Sequence, residues 1–201
     1  MLKKLFALIL TLSFAGCTLA QTSTIADDYD SILTKKEQEA VEKQVVQAGE
    51  LITTISFEVK TKNREDFENG LIPWASIAKP ETDIPKLKDG NKIVIPDNKT
   101  IVIDYPLNTE HKFELESSKG FSRAQLLRKI SEEYYKIYEM EENSAKVKTI
   151  PADKRTTIYN RNQTDGKFGI WGHDIADLVL AQALVYRMPD GKIVVALVIE
   201  S

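Results

Sequence analysis

The chain closes on two runs, Leu178–Tyr186 and Lys192–Ile199, that are apolar on both faces and joined by Pro189-Asp190-Gly191. Pro and Gly at those positions favour a tight reversal, so the runs read as a hairpin. Strands that do not alternate apolar and polar residues are covered on both sides. At an exposed edge they would invite pairing with other chains. The hairpin is therefore expected at the centre of a sheet, and the rest of the chain must supply neighbours and a covering layer. With 201 residues, 42% of them apolar, the chain suffices for one globular domain with a core of its own.

Two amphipathic helices are candidates for that layer. In the first, Thr34 and Glu37 have capping-box spacing. Val41, Val45, Ala48, Ile52 and Ile55 then recur at helical intervals, which predicts a helix over 34–56. In the second, Ser122 and Gln125 repeat the capping-box spacing. Leu127, Ile130, Tyr134, Ile137 and Tyr138 then line one face through about residue 142, with Tyr135 off the stripe. Between them, Pro73, Pro80 and Pro85 argue against a long helix. Ile93–Ile95 and Thr100–Tyr105, joined by Pro-Asp-Asn-Lys, read as another hairpin, and Lys112–Glu116 as a further strand. Helices mixed with hairpins, without βαβ repeats, predict an α+β fold. It is read as a single domain over 31–201, an antiparallel sheet centred on the C-terminal hairpin and packed by two helices.

The other end of the chain speaks of location. MLKKLFALILTLSFAGC places Lys3 and Lys4 before an apolar stretch, Leu5–Phe14, too short for a permanent membrane span. Residues 1–16 read as a signal peptide. Phe14-Ala15-Gly16-Cys17 resembles a bacterial lipobox, which implies a lipid-anchored mature N-terminus at Cys17. Cleavage after Ala20 is the alternative and would release a soluble periplasmic or secreted protein. Residues 17–30 are small, polar and acidic and read as a tether. The formal charge of −3 becomes two units more negative once Lys3 and Lys4 are removed. An acidic chain without a basic block is a poor ligand for nucleic acid. Cys17 is the sole cysteine, so no intramolecular disulfide forms and no cysteine nucleophile remains in the domain.

Trp171-Gly-His-Asp-Ile-Ala-Asp177, just ahead of the hairpin, is the segment richest in chemistry. Were it helical, His173 and Asp177 would lie one turn apart. With His111, the other histidine, they could hold a transition metal, and His173, Asp174 and Asp177 could then serve a small metal-assisted hydrolase. The competing reading is structural. Gly169 and Gly172 bracket a tight turn, an aspartate caps free N–H groups, Trp171 plugs the core and His173 bonds a nearby carbonyl or carboxylate. That reading leads, so no catalytic residue, metal or cofactor is assigned.

Other motifs carry less. Ser76-Ile-Ala-Lys79 matches a Ser-x-x-Lys pattern that works only on a helix, and Pro80 follows at once. Tyr134, Tyr135, Tyr138 and Tyr159 are read as core or core rim. Asn160, Arg161, Asn162 and Gln163, with Trp171, are the candidates for a ligand-binding surface, because loops on rigid scaffolds often bind.

NRNQTDGKFGIWGHDIADLVL, residues 160–180, with the apolar hairpin after it, resembles an uncharacterised family of bacterial exported proteins and lipoproteins. The resemblance implies a shared fold for the C-terminal part and carries no activity. The functional expectation is a non-enzymatic binding or interaction protein of the cell envelope, held at the membrane through lipid on Cys17 and meeting an envelope protein partner. The alternatives are the metal-assisted hydrolase and an inhibitor or immunity-type protein. The last would show a large exposed apolar or acidic patch.

Overall fold

A computed structural model describes residues 29–40, 49–67, 69–155 and 161–201. Residues 29–40 are helical (α1). There follow β1 (Glu50–Ser56), β2 (Val59–Lys60), β3 (Leu71–Ile72), β4 (Ala75–Ser76), α2 (Pro80–Asp83), β5 (Ile93–Ile95), β6 (Lys99–Ile103), β7 (His111–Leu115), β8 (Phe121–Ser122), α3 (Arg123–Ser144), β9 (Val179–Arg187) and β10 (Ile193–Glu200). The fold is α+β in one domain. The main sheet runs β1-β9-β10-β6-β7, with β4 beside β9 as its sixth strand. No helix among the described residues is long and apolar enough to cross a membrane.

The C-terminal hairpin occupies the centre, as its uniform apolarity demands: β9 and β10 pair over their whole length and are flanked by β1 and β6. The sheet is mixed rather than antiparallel throughout, because β10 runs parallel to β6. The chain between those strands passes through β7, β8, α3 and a long loop to the end of the sheet where β6 finished, and β9 then carries it back to the end where β6 began. Ala183, Val185, Val195, Leu197, Ile101 and Ile103 form one core with Leu127, Ile130, Tyr134 and Ile137 of α3. On the opposite face Leu184, Val194 and Val198 are only partly buried.

α3 starts as its sequence predicts. The Ser122 hydroxyl accepts from the Gln125 amide and the Gln125 side chain accepts from the Ser122 amide. The helix expected over 34–56 is corrected. α1 is already helical at Tyr29, so Thr34 lies inside it and donates its hydroxyl to the Asp30 carbonyl instead of capping. Glu50–Ser56 is a strand on β9, and residues 41–48 lie outside the described residues. Ile52, Thr53, Thr54 and Ile55 are β-branched, which favours a pleated strand, and β9 needs a neighbour on that side. The expected hairpin of 93–95 with 100–105 does not form either. β5 pairs with β8, while β6 pairs with β10 and β7. The Pro-Asp-Asn link turns a corner between two sheets.

Candidate functional site

The backbone from Phe168 to Asp177 takes two left-handed glycines. Gly169 has φ +63° and Gly172 φ +68°. At Gly172 the His173 amide donates to the Trp171 carbonyl at 2.7 Å, a three-residue turn that a side chain would strain. A Cβ there would also press on Leu33 of α1 at 3.2 Å. The turn drives Trp171 inward, where it is 3% exposed and meets Tyr105 edge-on at 5.2 Å.

His173 stacks on Tyr105 with ring centroids 5.6 Å apart. Its Nε2 lies 2.6 Å from Glu37 Oε1 of α1. Tyr105 Oη donates to the Glu37 carboxylate, 2.9 Å from each oxygen, and lies 2.9 Å from Ser201 Oγ. Burial and then the Glu37 charge push the Tyr105 phenol well above its ordinary value, so it remains a donor. Tyr138 of α3 donates to the His173 carbonyl at 3.0 Å. Glu37, His173, Tyr105 and Ser201 thus form a latch between α1 and the end of the sheet.

The latch is not a nucleophile–base–acid relay. Ser201 Oγ is 3.5 Å from His173 Nε2, the same nitrogen that faces Glu37. In a relay the carboxylate orients one ring nitrogen so that the other meets the hydroxyl. An open depression of about 540 Å³ lies over the latch, lined by Asp30, Leu33, Thr34, Glu37, His173 and Ser201.

Asp174 and Asp177 are engaged as well. Asp174 takes both Arg155 terminal nitrogens, at 2.6 and 3.0 Å. Asp177 accepts the Asp174 amide at 2.9 Å, so the cap runs backward from the later aspartate. His111, on β7, pairs instead with Glu133 of α3 at 2.8 Å and stacks on Phe113. The set His111, His173 and Asp177 is therefore not assembled: each is turned to a separate partner. Among the described residues no group of three or more His, Cys, Asp or Glu is placed to hold a metal ion.

The loop candidates also turn inward. Arg161 is 2% exposed, its guanidinium lying over the Tyr138 ring with 5.2 Å to the centroid. Asn162 accepts the Ile150 amide at 2.7 Å. Trp171 is core, and Asn160, like Tyr159, lies outside the described residues. Gln163 alone of the described candidates is exposed. Ser76 sits on strand β4 and its hydroxyl accepts the Lys79 amide, so the Ser-x-x-Lys pair is a turn and not a helical dyad.

The organiser of this loop is Glu141, which the sequence reading passed over. Its buried carboxylate accepts from Thr164 Oγ1 at 2.6 Å and from the amides of Gly166 at 2.8 Å, Phe168 at 2.7 Å and Gly169 at 3.1 Å. Burial works to raise its pKa, but these four bonds outweigh it and hold the carboxyl below the ordinary range. Its signal was present: Glu141 continues the spacing of Tyr134 and Ile137 and places an acid where the stripe calls for an apolar residue.

No protein-family model, curated protein or solved structure matches the chain.

Proposed function

We propose that this chain is a non-enzymatic binding protein of the bacterial cell envelope, exported by residues 1–16 and held at the membrane by lipid on Cys17. One observation carries the non-enzymatic part. His173, Asp174, Asp177 and His111, the side chains best suited to catalysis, are each bonded to a partner that holds the fold. The envelope part rests on the signal-peptide pattern and the cysteine that follows it. The open depression over the latch supports a binding role, since it offers polar side chains at a concave surface beside the helix that follows the tether. A second reading, an inhibitor or immunity-type protein, is favoured by Leu51 and Ile52, which stand 50% and 45% exposed on the edge strand β1.

The test is expression of the full chain in a bacterium, with radiolabelled palmitate and mass analysis of the mature N-terminus. The proposal expects label on Cys17, membrane partition, and loss of both in Cys17→Ser. A soluble product beginning at Gln21 would contradict the anchored reading and leave a released protein.

A further inference from the structure

We infer that the β7 edge of the sheet is a self-association surface that pairs with β7 of a second copy of this chain. The inference is independent of export and anchoring. Among the described strands β7 pairs with β6 alone, so alternate backbone N–H and C=O groups along its other edge face outward. Beside that edge a groove of about 410 Å³ opens between β7 and α3. Its floor is apolar, with Leu115 and Phe121 buried and Phe113 partly so. On its α3 rim Lys129 pairs with Glu132 and Lys136 with Glu133, while Glu114 and Glu116 also line the groove and leave it acidic, so an arriving strand must bring a cation to Glu114.

The sequence of β7 selects the occupant. Set antiparallel about a two-fold axis at Phe113, two copies of Lys112-Phe113-Glu114 place each Lys112 opposite Glu114 of the second copy. Opposite charges directly across an antiparallel pair stabilise it, and the symmetry repeats the pair. Lys112 and Glu114 are exposed and alternate along β7 with the partly buried Phe113, and Phe113 and Glu114 both line the groove. Phe113 of the second copy would then cover the groove floor. The present partners of these two side chains are weak: Glu110 for Lys112, both more than half exposed, and Thr100 for Glu114. One term opposes pairing, because Glu110 falls opposite Glu116 of the second copy at each end. Those ends are open to solvent and screened by salt.

The deciding experiment is sedimentation of the chain from Thr18 onward, which keeps every described element, over a wide concentration range. The expected result is a reversible dimer. Glu114→Lys should weaken it about tenfold, because two attractive pairs become repulsive. The charge swap Lys112→Glu with Glu114→Lys should restore it, and Glu116→Lys should tighten it. The rescue separates pairing from misfolding, since a folding defect would not be repaired by a second exposed substitution. A chain that stays monomeric throughout, or a dimer indifferent to Glu114→Lys, overturns the inference. So does a dimer weakened by Glu114→Lys and not restored by the swap.

Discussion

Glu141 concentrates the argument at the scale of single residues. A buried carboxylate is costly unless its oxygens are satisfied, and here three backbone amides and a hydroxyl satisfy them. Its folded-state pKa lies below the ordinary glutamate value. Its contribution is therefore present above that ordinary value and lost as pH falls through the lowered one. Glu141→Gln should cost about 1–3 kcal/mol at neutral pH, because an amide cannot serve all four donors. Thermal midpoints measured from neutral pH into the acid range should show wild type losing more than the variant, and the two curves converging. Parallel curves would mean the loop is held by something else. Asp165 acts in the same way at the surface, its carboxylate accepting the amides of Lys146 and Val147. Asn162, Thr164 and Asp165 tie this loop to other segments, and this was not legible from the segment itself. Their partners, residues 146–150 and Glu141, are distant in sequence.

The elements follow the same logic at longer range. Where local chemistry decided, it could be read: the Ser122–Gln125 capping box, the α3 stripe, the Pro-Asp-Gly hairpin and the two turn glycines are all present. Where tertiary pairing decided, it could not. Ile52 and Ile55 fit a helical stripe and a strand alike, and β9 settles the matter by pairing with them. Hydrogen exchange should show this directly, with amides of Glu50–Ser56 that face β9 protected in alternation. Runs of consecutive protected amides, as in a helix, would contradict the strand. Gly172 sets how α1 docks. Gly172→Ala puts a side chain at φ +68° and against Leu33, which should cost about 1–2 kcal/mol. It should also raise exchange across residues 29–40 more than in α3. Equal change in both helices would mean α1 does not depend on that turn.

At the scale of the whole molecule, the latch joins α1 to the end of the central sheet. Glu37 comes from α1, Tyr105 follows β6, His173 precedes β9 and Ser201 follows β10, so four distant parts of the chain meet at one set of bonds. The sequence showed His173 as a residue to be explained and gave no sign that Glu37 was its partner, because the two are 136 positions apart. This cluster serves the fold. A double-mutant cycle tests it most directly, with denaturant unfolding of wild type, His173→Ala, Glu37→Ala and the double variant. Each single change should destabilise, and the pair should couple by about 0.5–3 kcal/mol. Unchanged or raised stability in His173→Ala, with no coupling to Glu37, would contradict it and return His173 to the search for an active site.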